Sequence, residues 1–104
     1  MSTTDKLIFT IPQCRGFSDE AVAFMLLSWL KVAAEDDRNI GDAFRELKFD
    51  YGVPVDQIEE LAAHTVQCLM DEQIFQSFRD KPAVLRTLHC DVSKNHVYVE
   101  AVWQ

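Results

Sequence analysis

One long apolar run constrains the fold of this chain more than any other segment. Residues 21–34 read AVAFMLLSWLKVAA, in which only one serine and one lysine are polar. Ser18 stands just before the run as a candidate N-cap, and two acidic residues follow it where a helix N-terminus favours negative charge. The pattern predicts a helix over residues 19–35.

A helix that is apolar all round differs from an ordinary surface helix, which has a polar face. It either forms the centre of the core or turns one side toward a partner chain. At 14 residues with a lysine, the run is too short to span a membrane. The two alternatives are therefore a central helix of the core and a homodimer through this helix, in which the second copy covers the apolar surplus.

The other elements follow from apolar periodicity and from turn residues. These patterns predict a strand at 6–12, a helix at 40–51, a third helix from about residue 56, and paired strands at 84–92 and 96–103. The third helix either continues to residue 79 or breaks near Asp71. The order predicts a single α+β domain over 1–104, in which three to four helices pack on a small antiparallel sheet made of the N-terminal strand and the C-terminal hairpin.

Composition fits one globular domain: 104 residues, 48% hydrophobic and 26% charged. The chain contains no P-loop, nucleophile elbow or dinucleotide fingerprint, and its three glycines leave little material for a phosphate-binding loop. We therefore expect a protein that is not an enzyme and that uses no cofactor.

Negative charge is concentrated in the middle of the chain. The net charge is −7, and no Lys or Arg occurs between Lys48 and Arg79. That interval contains six carboxylates, which we take as candidate partner-binding residues: Asp50, Asp56, Glu59, Glu60, Asp71 and Glu72. Complementary charge speeds and orients association, so these residues favour a protein partner with a basic surface. The alternative is a face that only keeps the protein soluble.

The stretch at 44–64, FRELKFDYGVPVDQIEELAAH, has the outline of a helix-turn-helix. Its second helix would present Asp56, Glu59 and Glu60 to DNA, with Gln57 as the one residue of a type suited to reading bases. DNA-binding proteins draw most of their affinity from cations placed on phosphates. A DNA-binding regulator is therefore the alternative, and direct contact with nucleic acid is not expected.

A metal or thiol site is the second alternative. His64 and Cys68 stand four residues apart and share a helix face, whereas His89 and Cys90 are neighbours that point to opposite faces of a strand. His96 follows in the same hairpin. Zinc needs three or four converging ligands, which these residues do not offer together, so no metal is expected.

The three cysteines have no paired spacing and indicate reduced thiols. The N-terminal segment lacks the apolar core of an export signal. Together these features predict a small cytoplasmic regulator or inhibitor that acts by protein–protein binding and does not contact the membrane. An inhibitor that occupies the nucleic-acid groove of a basic partner is one form of this hypothesis.

Overall fold

Four helices pack on one face of a three-stranded antiparallel sheet in the computed structural model, which describes residues 2–35 and 39–104. The elements in chain order are β1 (Thr3–Thr10), a 3₁₀ turn (Pro12–Cys14), α1 (Asp19–Ala34), α2 (Ile40–Phe49), α3 (Val55–Asp71), α4 (Ile74–Arg79), β2 (Leu85–Ser93) and β3 (His96–Trp103). The predicted α+β class is confirmed, as are the N-terminal strand and the C-terminal hairpin that form the sheet.

Strand β3 lies between β1 and β2 and pairs antiparallel with both. Its inner face consists of four side chains that are at most 1% exposed: Val97, Val99, Ala101 and Trp103. Strand β1 begins three residues earlier than the apolar pattern predicts, because Thr3 pairs with Trp103 at the far end of β3. It ends at Thr10, just before Ile11 and Pro12 leave the ladder.

The β2–β3 hairpin turns through Lys94 and Asn95, which both have positive φ (51° and 68°). Two central residues with positive φ match the right-handed twist of the strands that they join. The carbonyl of Asn95 also accepts a hydrogen bond from the Ile11 N–H at 3.0 Å. The hairpin turn is thereby tied to the chain that leaves β1.

Helix α1 is the central helix of the core. It contacts β2, α2, α3 and α4, and no side chain from residue 21 to residue 35 is exposed. The Trp29 indole donates a hydrogen bond to the Ala62 carbonyl on α3 at 3.1 Å. Most of the apolar surface of α1 is thus covered within one chain. Within the described residues, no helix has the length and apolarity needed to cross a membrane.

The connection from α2 to α3 is set by local residues. The Asn39 side chain caps α2 by accepting a hydrogen bond from the Gly41 N–H at 2.8 Å. Gly52 has φ of +67°, a conformation that L side chains rarely adopt. Next to it, the Val53 N–H donates to the Leu47 carbonyl at 3.0 Å. Pro54 precedes α3 without any side-chain cap, so Asp56 lies in the first helical turn.

Residues 55–79 form two helices, α3 and α4, and not one long helix. The helical conformation is interrupted at Gln73, which has a left-handed φ of 61°, and α4 starts at the next residue. A straight continuation of α3 would turn Ile74 and Phe78 about 180° away from the buried stripe at 100° per residue. The break instead buries both side chains, which are 7% and 2% exposed.

Candidate protein-binding surface

Helix α3 separates an apolar side from an acidic side. Its buried residues are Ile58, Leu61, Ala62, Thr65 and Leu69, which recur at the three- and four-residue spacing of one helix face. The opposite side carries four exposed carboxylates, which we call the acidic face: Asp56, Glu59, Glu60 and Asp71. Because packing fixes the buried stripe, it also fixes the direction of the acidic face toward solvent.

The acidic face is long and narrow. Fifteen positions separate Asp56 from Asp71, which is about 22 Å at 1.5 Å per residue. All four carboxylates fall within an arc of roughly 120° about the helix axis at 100° per residue. The face therefore forms one stripe along α3 rather than a collar around it.

The acidic face is not neutralised by its surroundings. Among the described residues, no Lys or Arg forms an ion pair with any of its four carboxylates. Glu60 lies 3.5 Å from the His64 imidazole, a pair that is ionic only when the histidine is protonated. Asp71 accepts a hydrogen bond from the neutral Gln67 amide at 2.8 Å. The charge of the stripe is therefore available to an incoming cation.

The other two candidate carboxylates flank α3. Asp50 caps the C-terminus of α2, and Glu72 follows the last residue of α3. Both are exposed, but neither belongs to the helical face. The structure thus brings four of the six predicted residues into one stripe and leaves two at its ends.

Exposed apolar side chains on α2 and α3 were missed by the sequence reasoning. Phe49, Val55 and Met70 are 73%, 61% and 53% exposed. Phe49 ends α2 outside the apolar face formed by Ile40, Ala43, Phe44 and Leu47, and this position is the sequence signal of its exposure. The Lys48 ammonium lies over the Phe49 ring at 5.1 Å from the centroid. Val55 and Met70 belong to α3 itself and offer apolar contact next to the acidic face.

The candidate metal ligands do not converge. Among the described residues, no group of three or more His, Cys, Asp or Glu side chains is arranged to hold a metal ion. Cys90 is buried in the core, whereas His89 is exposed on the other face and lies 2.8 Å from Asp91. His96 is exposed at the hairpin end of β3.

The three thiols are free and none is activated as a nucleophile. Burial, with a contribution from Asp91, raises the pKa of Cys90 from 9.0 to about 12. Burial, with contributions from Cys68 and Glu60, raises the pKa of Cys14 to about 11. Burial and then Glu72 and Asp71 raise the pKa of Cys68, whose Sγ lies 3.7 Å from the Thr10 carbonyl. A reactive cysteine needs a lowered pKa, so this environment disfavours thiol chemistry.

We expect native Cys90 to react far more slowly with iodoacetamide than the same cysteine in urea. Its pKa of about 12 leaves on the order of a thousandfold less thiolate near neutral pH than an unperturbed thiol has. Peptide mapping after timed alkylation measures the rate at each cysteine. The half-buried Cys68 serves as the internal comparison and is expected to react first. Equal rates for native and unfolded Cys90 would contradict the buried position of this thiol.

The helix-turn-helix outline is present in the α2–α3 pair, with Leu47, Val53, Ile58 and Leu61 buried. Its second helix, α3, contains no Lys or Arg. The carboxylates on its exposed side would meet DNA phosphates with like charge, whereas binding requires cations there. This geometry gives the DNA-binding alternative no support beyond the spacing of the helices.

A comparison of the chain with protein-family models, with curated proteins and with solved structures found no match.

Proposed function

We propose that the protein is a small non-catalytic regulator or inhibitor that binds a partner protein with a basic surface through the acidic face of α3. The observation that carries the proposal is the unneutralised stripe of four carboxylates along about 22 Å of one helix. On a protein surface where both signs of charge are interspersed, exposed acidic residues usually lie beside cations. No Lys or Arg among the described residues forms an ion pair with this stripe.

In the proposed interaction, electrostatic attraction brings the two proteins together, and the contact itself combines charged and apolar side chains. A single-sign surface attracts an oppositely charged partner over about one Debye length, near 8 Å at physiological salt. Val55 and Met70, which border the acidic face, add apolar contact once the surfaces meet. A positive nucleic-acid groove on the partner is one suitable surface, because such grooves carry Lys and Arg placed for phosphates.

The proposal includes a cytoplasmic location, since three free thiols suit a reducing compartment. A homodimer through α1 was the other expected association. We do not retain it, because the side chains of residues 21–35 are buried or half-buried within one chain. We therefore assign the contact with the basic partner of this proposal to the acidic face of α3.

Affinity capture from lysate at graded salt tests the proposal. The wild-type protein is compared with the Glu59→Lys/Glu60→Lys variant and with Asp80→Lys/Thr87→Lys/Ser93→Lys as a matched control. The control changes the net charge by the same amount at three exposed residues away from α3. Bound proteins are identified and quantified by mass spectrometry.

We expect the wild type and the control to retain the same basic protein at low salt and to release it as salt rises. The α3 variant is expected to lose it. Equal retention by all three proteins would overturn the role of the acidic face. Equal loss by the control and the α3 variant would show that net charge, and not this face, governs binding.

A further inference from the structure

We propose that a groove alongside α1, between α2 and β2, binds a basic amphipathic helix of another protein. This inference concerns a different surface from the acidic face of α3 and does not rest on the function proposed above. It rests on two adjacent cavities, on the side chains that line them and on the charges at their rims.

The two cavities meet along one side of α1. The first has a volume of about 390 Å³ and lies between α1 and α2. The second has a volume of about 330 Å³ and lies between α1, the α2–α3 turn and β2. Phe24 and Leu27 line both cavities. The pair therefore forms a ridge that divides one groove into two compartments.

The floor of the groove is apolar and fixed. Phe24, Leu27 and Val32 are half-buried, so each keeps part of its surface toward the groove. The Phe24 ring stacks on Tyr51 with centroids 4.8 Å apart, and Tyr51 remains 38% exposed. An aromatic pair held in this way gives a rigid wall against which an apolar side chain can pack.

Carboxylates outnumber cations at the rim of the groove, most clearly in the compartment next to β2. Asp19 and Glu20 border the compartment next to β2, and Asp42 and Glu46 border the compartment next to α2. Lys31 is the one Lys or Arg among the described lining residues. Asp42 is paired with Arg45, and Glu46 has no ion-pair partner among the residues described. An apolar floor between carboxylates suits a ligand with apolar anchors flanked by Lys or Arg.

The spacing of the compartments favours a helix as the occupant. The α1 residues that line the two compartments are centred about six positions apart, or roughly 9 Å along the helix axis. Two anchor side chains at i and i+7 of a helical ligand are about 10 Å apart. A helix that lies along α1 would therefore place one anchor in each compartment, which is how amphipathic helices occupy hydrophobic grooves.

The test uses a synthetic amphipathic peptide of about four helical turns, with Leu at i, i+4 and i+7 and Lys on both flanks. It is titrated into the ¹⁵N-labelled full chain and followed by backbone amide shifts. We expect the shifts to concentrate at Ala23, Phe24, Leu27 and Tyr51. The same peptide with Glu in place of Lys is expected to leave the spectrum unchanged.

Two variants test independently whether the peptide binds in the groove. Ala23→Leu fills the compartment next to β2, and Glu46→Lys reverses a rim charge on an exposed side chain. Each is expected to weaken peptide binding by about tenfold or more. Glu59→Lys/Glu60→Lys on α3 is expected to change it less than about threefold. The amide spectrum of each variant reports whether the fold is retained, and Glu46→Lys serves if Ala23→Leu does not fold.

Shifts that concentrate on Ala63 and Gln67 of α3, together with loss of binding in the α3 variant, would overturn the groove and leave the function proposed for α3 intact. No shifts at millimolar peptide would also overturn the groove. Shifts in the groove with unchanged capture of a basic protein by the α3 variant would support the groove and contradict the function proposed for α3.

Discussion

Trp103→Ala is expected to lower the free energy of unfolding by about 3–5 kcal/mol, the range observed for large aromatic residues truncated in a core. Trp103 is 1% exposed at the end of the central strand β3. Its ring meets Phe78 of α4 edge-on with centroids 5.1 Å apart. Its indole N–H donates to the Asp5 carboxylate on β1 at 2.9 Å. One side chain therefore joins a helix and two strands.

Trp103→Phe is the milder variant for comparison, because it keeps an aromatic ring against Phe78 while it removes the indole donor and part of the ring volume. Asp5 would retain the Lys81 ammonium at 2.7 Å, so this variant is expected to lose about half as much stability or less. Urea denaturation monitored by circular dichroism measures both changes. A loss below about 1 kcal/mol for Trp103→Ala would be too small for a packed core tryptophan and would contradict the buried position of Trp103.

Leu26→Ala is expected to destabilise the protein by about 3–5 kcal/mol, whereas Leu27→Ala is expected to cost only about 1–2 kcal/mol. Leu26 has no exposed surface, and its neighbour Leu27 is half-buried beside the groove. The two substitutions remove the same atoms from consecutive positions of α1. Their difference therefore reports which side of α1 lies in the core.

Urea denaturation of both variants and of the wild type is measured at two protein concentrations about a hundredfold apart. If α1 is a core helix of a single chain, the wild-type midpoint does not depend on concentration. A midpoint that rises with concentration, with Leu27→Ala as costly as Leu26→Ala, would instead show that a second copy covers the half-buried side of α1 that carries Leu27.

Much of the fold was predictable because the determining interactions are local. Ser18 caps α1 as predicted from residue type, and Asn39 caps α2 by the same local interaction. Gly52 adopts the left-handed conformation that ends α2. Alternation in β3 identified its buried face. In each case the physical cause lies within a few residues of the effect, so the sequence carries it directly.

The parts that were not predicted depend on the whole chain. The first residues of β1 are polar and pair because β3 extends beside them. The sequence analysis does not decide between a continuous helix and a break near Asp71. If α3 continued, however, its buried side would carry the polar residues Glu72, Gln73 and Gln76. Extending the helical periodicity through residue 78 would have indicated the break.

The candidate surfaces, too, could be predicted only as far as local sequence determines them. Periodicity alone places Asp56, Glu59, Glu60 and Asp71 on one side of a helix. It does not show whether cations from distant segments neutralise them, which depends on tertiary packing. The groove was not predicted at all, because Phe24 and Tyr51 meet only after α1 and the α2–α3 turn pack together.

The most direct test of the central proposal is the dissociation constant of the captured basic partner, measured near physiological salt for the wild type, Glu59→Lys/Glu60→Lys and Asp80→Lys/Thr87→Lys/Ser93→Lys. If the acidic face of α3 binds the partner, the α3 variant binds at least about tenfold more weakly and the control binds within about threefold of the wild type. Indistinguishable constants for the wild type and the α3 variant would contradict the proposal.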